Sequence, residues 1–273
     1  MLASRAHVIS FQKTVWAYYK KNARVLPWRK TRNPYRILVS EIMLQQTQVD
    51  RVIPFYTKWI RTFPDWASLN KASLRKVLSV WQGLGYNRRA LALKRIAKIV
   101  TRDFNGALPH TIQELDALPG IGEATAKAIT VYAWNKSHAF IETNIRTVFI
   151  HHFFTGRDSV SDEEILTLVS QTLPEKDPRF WYAALMDYGS FLKKTVGNTG
   201  VRSVGYVKQS RFKGSVRELR GAILKLLTEK KGRVSVSLLA KKLKNDERVR
   251  EILARLEEEG FVAIKGKTIT LAK

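Results

Sequence analysis

The sequence predicts a mainly α-helical chain that closes with a small domain of three helices and a two-stranded wing. Three observations predict it. Apolar residues recur three and four apart through most of the chain, the spacing of an amphipathic helix. Period-two alternation, the mark of a strand, is scarce until Phe261–Leu271. Helix-start signals, a Ser or Thr followed three residues later by Glu, stand at Thr111/Glu114, Ser161/Glu164 and Ser215/Glu218.

In chain order, the helical spacing runs through Phe11–Tyr19, Tyr35–Leu44 and Leu74–Trp81, and returns at Ile223, Leu226 and Leu227. Residues 1–190 read as one helical domain. Phe191–Gly214 is rich in Gly, Ser and Thr. It carries Lys193, Lys194, Arg202, Lys208, Arg211 and Lys213 without an acidic residue, and reads as a basic connector over 191–214. Beyond it, helices are expected at Ser215–Lys230, Ser235–Leu243 and Asp246–Glu259. The last has Val249, Ile252, Leu253 and Leu256 on one face and Gly260 as its stop. A hairpin around Lys265–Gly266–Lys267 follows. Residues 215–273 thus resemble a winged-helix domain, a topology that binds DNA in some proteins and protein partners in others.

Composition narrows the function. The 273 residues hold 48 Lys and Arg against 23 Asp and Glu, a net charge of +25. Such a charge favours polyanions, and nucleic acid is the first candidate ahead of an anionic membrane surface or a generally basic surface. There is no cysteine, so disulfides, thiol catalysis and cysteine-ligated zinc or iron–sulfur centres are excluded. No apolar run approaches the roughly 20 residues of a membrane span, and Met1–His7 lacks the apolar stretch of a signal peptide. These features lead to the expectation of a soluble, intracellular, cytoplasmic and nucleoid-associated protein without membrane partners, read as a monomer.

The segment Leu118-Pro119-Gly120-Ile121-Gly122 is flanked by helical sequence. Gly120 and Gly122 permit a tight turn with positive φ and close approach of another molecule. The helix expected from Glu123 to about Trp134 presents free N–H groups that suit a phosphate. A plain αα turn is the simpler alternative. The pair His151-His152 does not form a metal site at helical spacing, because adjacent residues do not face each other.

Six segments together carry a resemblance, the first five being Leu26-Pro27-Trp28, Pro34-Tyr35, the run SEIMLQQTQV over Ser40–Val49, WQGLGY over Trp81–Tyr86, and LPGIGEATA over Leu118–Ala126. FIETNIRTV over Phe140–Val148 completes the order. Over about residues 8–190 the chain resembles the helix-hairpin-helix DNA glycosylase superfamily, and within it the adenine DNA glycosylases of the MutY type. It resembles neither that family's iron–sulfur segment nor its 8-oxoguanine-recognition domain. The resemblance implies a helix-hairpin-helix glycosylase fold of two helical subdomains. These are a bundle over 33–133 carrying the hairpin, and a second subdomain of 1–32 with 134–190. A cleft between them is expected to bring Glu41 and Glu142 together.

What the resemblance implies for single residues can be weighed against the chemistry. Cleaving an N-glycosidic bond needs a proton on the leaving base and charge stabilisation at the sugar, tasks for two carboxyls in different environments. Glu41 matches the proton-donating acid, and its apolar helix is expected to raise its pKa. Glu142 stands where the family has an aspartate that stabilises the sugar cation. The glutamate reaches one methylene further, which is compatible with a working substitute, an altered substrate or lost activity. Asn144 matches a site-orienting residue. Arg146 is a candidate phosphate contact. Gln45, Gln46 and Tyr86 match residues that contact or wedge the duplex beside a flipped base, although the second aromatic often found after the tyrosine is replaced by Asn87. Ala124 occupies the position of the Schiff-base lysine of bifunctional relatives, so no lyase activity is expected. Lys127 is read as a phosphate contact or a solvated charge, and Lys193 and Lys194 as connector contacts to DNA. No cofactor is expected beyond a monovalent cation at the hairpin carbonyls, which relatives bind.

Double-stranded DNA with a mismatch or lesion is the expected partner, and a base-excision glycosylase acting on adenine opposite 8-oxoguanine or guanine the expected function. Two alternatives stay open: a glycosylase for thymine or uracil opposite guanine, and a DNA-binding protein without catalysis.

Overall fold

The computed structural model of the protein describes residues 3–230 and 232–272. It is mainly helical. The helices are α1 Arg5–Asn22, α2 Pro34–Leu44, α3 Val49–Thr62, α4 Trp66–Lys71, α5 Leu74–Trp81 and α6 Arg88–Asp103. After these come α7 Ile112–Asp116, α8 Glu123–Trp134, α9 Thr143–Phe153, α10 Asp162–Thr172 and α11 Pro178–Thr195. The C-terminal part adds α12 Val216–Glu229, β1 Val234–Ser235, α13 Val236–Lys242, α14 Val249–Glu258, β2 Val262–Lys265 and β3 Thr268–Leu271. Among the described residues no helix is long and apolar enough to cross a membrane.

The chain forms two compact units, each gathered from separate stretches. One comprises Met1–Glu41, His110–Ala117 and Ile121–Lys208, the other Ile42–Pro109, Leu118–Gly120 and Gln209–Lys273.

In the first unit, α11 is the central helix. α1 and α9 pack on it, and Phe11 meets Phe149 and Trp181 at ring separations of 5.2 and 5.8 Å. The core is aromatic and aliphatic, with Phe140, Ile145, Val148, Trp181, Tyr182 and Leu185 buried. The crossing of α9 and α11 depends on Gly189, where an added Cβ would lie 2.9 Å from the Asn144 carbonyl carbon. α10 starts with the full reciprocal capping box of Ser161 and Glu164. At Thr111 and Ser215 the backbone N–H of the third residue is capped, but the Glu side chains turn to the Thr111 hydroxyl and to the Gly214 N–H. Past α11 the chain straps itself to α9. Thr199 donates to the Thr147 carbonyl, and Arg202 donates to the carbonyls of Ile150, Phe154 and Arg157 at the helix C-terminus. The Ile150 and Phe154 carbonyls already accept from the N–H groups of Phe154 and Arg157, so Arg202 is a second donor there, and a cation at a helix C-terminus also suits the dipole. The basic run therefore begins inside a helix, with Lys193 and Lys194 in the last turn of α11.

In the second unit the C-terminal domain packs α12 against α5. Its three helices and hairpin occur where the sequence predicts them. A two-residue strand too short to show periodicity, β1, adds to a sheet of order β1-β3-β2, antiparallel throughout. Arginines join this domain to the helices before it. Arg75 caps the C-terminus of α12 through the carbonyls of Leu227, Thr228 and Lys230 at 2.6–2.7 Å. Arg88 and Arg220 share Glu259, each at 2.6 Å.

Candidate active site

α2 is apolar on nearly every side. Tyr35, Ile37, Leu38, Val39, Ile42 and Met43 are all buried, and the Asn33 side chain caps its start by accepting from Arg36 N–H. A helix of this kind is held by core packing on all faces, and it carries Glu41 inward, 9% exposed. Burial pushes the Glu41 carboxyl well above the ordinary carboxylate range. The negative charge of Glu142 pushes it further, and Arg29 pulls the other way without reversing the shift. Both carboxyls lie in the first unit.

Glu142 is the N-cap residue of α9, with extended backbone, and keeps part of its surface open. The packing around its carboxylate still raises its pKa, while Arg146 and Lys193 lower it. Glu142 therefore ionises before Glu41, and its charge then holds the proton on Glu41. Tyr182 steadies the approach to α9, donating to the His138 carbonyl at 2.9 Å and accepting from Phe140 N–H at 3.1 Å.

Lys193 reaches back from the end of α11 and donates to the Asn144 side-chain oxygen at 2.8 Å. Burial lowers its pKa to about 8, although Glu142 favours the charged form. Arg146 commits its guanidinium to Asp162 through bonds of 2.7 and 2.5 Å. These two cations thus serve the Glu142 side of the site, whereas Lys194 stays exposed.

Asp187, its arginines and Tyr132 carry no motif signal. Asp187 is almost fully buried and takes two bonds from the Arg29 guanidinium, each 2.8 Å, and two from Arg24, one from its side chain at 2.5 Å and one from its backbone N–H at 2.9 Å. Burial alone would raise its pKa, but Arg29 and Arg24 outweigh it and hold the carboxyl below its usual range. Tyr132 has its hydroxyl pKa pushed well up by burial and then by Glu41 and Glu142. Asp187 and its arginines are some 160 positions apart, so no local pattern reveals them. For Tyr132, aromatic residues in a helix read simply as core.

In the second unit the end of α2 and the WQGLGY turn are knotted together by Arg89. Its guanidinium donates to the carbonyls of Ile42, Met43, Gln45 and Gly85 and to the Thr47 hydroxyl, at 2.6–3.1 Å. Gln45 donates to the Gly120 carbonyl of the hairpin at 3.2 Å. Gln46 and Tyr86 both adopt left-handed backbone, with φ of 52° and 50°. Such conformations cost of order 1 kcal/mol or more in non-glycine residues and persist only where surroundings enforce them.

The hairpin corrects one expectation. Gly120 has φ of +77° and lies so close to Ala92 that a Cβ would come within 3.1 Å of it. Gly122 does not need positive φ: it is the N-cap of α8 at φ −114°, and an added Cβ would meet open space. Its value is room in front of the free N–H groups of α8. Lys127 is tied to Glu123 at 2.6 Å, one turn along α8. Of the histidine pair, His152 packs on Phe11 and pairs with the Tyr188 hydroxyl at 3.0 Å. Burial lowers its pKa to about 4. Among the described residues no group of three or more His, Asp or Glu side chains is arranged to hold a metal ion.

Comparison with known proteins gives the family. Residues 39–175 match the model of the HhH-GPD superfamily base excision DNA repair proteins. The adenine DNA glycosylase of Mycolicibacterium smegmatis is 32% identical over 231 residues, which span 78% of this chain and 78% of that protein. That of Buchnera aphidicola subsp. Baizongia pistaciae is 35% identical over 68% of this chain, and the match spans about half its length, 53%. A thermostable thymine-DNA glycosylase superposes with a TM-score of 0.63 at 27% identity, over 68% of this chain and 87% of its own. A trapped endonuclease III–DNA covalent intermediate gives 0.56 at 17% identity, over 70% and 86%, a likeness of fold alone. With a family match that takes in both Glu41 and Glu142, and a relative covered over most of its length, the chain belongs to the HhH-GPD superfamily of base excision DNA repair proteins.

Proposed function

We propose that the chain is a monofunctional DNA glycosylase that releases adenine mispaired with 8-oxoguanine or guanine after flipping it from the duplex. One observation carries the reading: two carboxyls in one unit, both raised in pKa by their packing, with Glu41 raised further because the charge of Glu142 adds to its burial. A carboxyl still protonated near neutral pH can pass its proton to the leaving base, and an ionised partner can stabilise the positive sugar. The bond from the anomeric carbon to the base nitrogen breaks, the base leaves with the Glu41 proton, and water adds to the anomeric carbon and gives up a proton that restores the Glu41 carboxyl. The names of the curated relatives favour adenine. The α8 N-terminus at Gly122 suits a backbone phosphate, and Gln45, Gln46 and Tyr86 are assigned to the duplex around the extruded base.

A second reading, thymine or uracil opposite guanine, is favoured by the likeness to the thermostable thymine-DNA glycosylase. The test is base release from duplexes holding adenine opposite 8-oxoguanine, guanine or cytosine, and thymine or uracil opposite guanine, with alkali added to break abasic sites. Adenine release lost in both Glu41→Gln and Glu142→Gln supports the proposal. Release only of thymine or uracil replaces it with the second reading. Strand cleavage without alkali, or a borohydride-trapped adduct, would contradict the absence of a lyase step, because Ala124 offers no amine.

A further inference from the structure

The WQGLGY turn does not end in free solvent. The Tyr86 hydroxyl accepts hydrogen bonds from Arg217, at 2.5 Å, and from Gln209, both from the C-terminal stretch of the same unit. The Arg217 guanidinium also lies 5.2 Å from the Tyr86 ring centroid and donates to the Ser210 carbonyl. Several arginines nearby pair with carboxylates: Arg220 shares Glu259 with Arg88 of α6, Arg248 pairs with Asp246, and Arg255 with Glu251. Among the described residues Arg217 has only neutral partners, so its charge is fixed in place and uncompensated. The stretch Gln209–Arg217 adds Arg211 and Lys213, both exposed, and has no acidic residue.

We propose that the C-terminal domain is a second DNA-binding element, which grips the duplex backbone through Arg211, Lys213 and Arg217 beside the Tyr86 turn. The inference rests on the glycosylase reading for its partner. The chemistry is that of phosphate: three cations on an open strip whose one nearby carboxylate, Glu218, is taken up by the Gly214 N–H, and one of the three is a guanidinium already held in a fixed orientation. Gln209 and the Tyr86 hydroxyl lie beside Arg217 as neutral hydrogen-bonding groups. Tyr86 is thereby shared between two parts of the chain.

The test is fluorescence anisotropy of the full chain on an undamaged duplex across a salt series, beside base release on the mismatch panel. Arg211→Gln with Lys213→Gln changes two exposed side chains that hold nothing in place, and Arg217→Gln is added in a triple variant. The expected result is affinity weakened about tenfold or more by the triple change. The plot of log affinity against log salt should flatten by about 0.9 for each phosphate that the variant no longer neutralises. Arg217→Lys, which keeps the charge, should retain the slope. An unchanged slope and affinity in the double variant, with the fold intact by circular dichroism, overturns the proposal and leaves this face to an acidic protein partner. The glycosylase reading fails separately: a wild-type protein that binds duplex but releases no base would sink that reading while leaving the salt-slope result to stand.

Discussion

Replacing Gly189 with alanine tests the geometry on which Glu142 and Asn144 depend. The new methyl carbon would lie 2.9 Å from both the carbonyl carbon and the Cβ of Asn144. Carbon atoms settle near about 3.5–4.0 Å apart, so α9 and α11 must part by roughly 0.6–1 Å or tilt. Neither neighbour is the free end of a flexible side chain. Overpacking of this kind costs about 1–3 kcal/mol. For about 2 kcal/mol the melting temperature falls by roughly 4–8 °C in a protein of this size. The movement is passed to the first turn of α9, which carries Glu142 and Asn144, and a misplacement of about 1 Å can cost 100-fold in rate. The control is Gly221→Ala in the middle of α12, where an added Cβ meets nothing within 4 Å. There the same chemical change should stabilise by about 0.5–1 kcal/mol through helix propensity. Thermal unfolding followed by circular dichroism and single-turnover base release read both effects. A Gly189→Ala protein that melts with the wild type and keeps its rate would refute the close crossing of the two helices.

Three further outcomes are expected. The folded protein holds the Glu41 proton more tightly than the unfolded chain does. The stability tied to this group is therefore complete below about pH 4 and is lost as pH rises through the raised folded value. Glu41→Gln should accordingly melt with the wild type at about pH 4 and above it at about pH 8, by on the order of 1 kcal/mol; equal melting at both would contradict the buried acid. Lys193→Met removes a charge that lowers the Glu142 pKa, so the acid limb of the single-turnover rate should move to higher pH, and an unmoved limb would deny the coupling. Arg89→Met strips donors from four carbonyls in a buried setting and should destabilise by about 3 kcal/mol, which denaturant titration would show; a neutral result would mean that water replaces the guanidinium.

The sequence is most legible where chemistry is local. Helical spacing locates α2, α5 and the C-terminal helices. The Gly-rich turn places the start of α8, and the stop glycine Gly260 takes φ +81°. Residue type and motif mark Glu41 and Glu142 as the carboxyls of interest. What local pattern cannot carry is which distant group answers a charge across the fold. Arg146 and Lys127 read as free to meet phosphate, yet each has an acidic side chain within 2.6 Å. Lys193 reads as a connector residue, and it turns inward to Asn144 because the helix runs longer than the Gly- and Ser-rich composition suggests. Nothing in the sequence marks Arg89. Its burial follows from carbonyls left over at the end of α2, more than 40 residues earlier, which no periodicity records.

The packing of α1 on α11 has a consequence for biosynthesis. The two helices are separated by about 155 residues of chain. At a ribosomal pace of about 5–20 residues per second, α1 waits roughly 8–30 s for its partner to emerge. Through that interval Phe11 and Val15, both buried in the finished fold, lack the α11 side of their core, and Phe11 meets α9 only after about 120 residues of chain. The first helix is therefore an apolar stretch left open during synthesis, and slow codons ahead of α11 would lengthen that exposure.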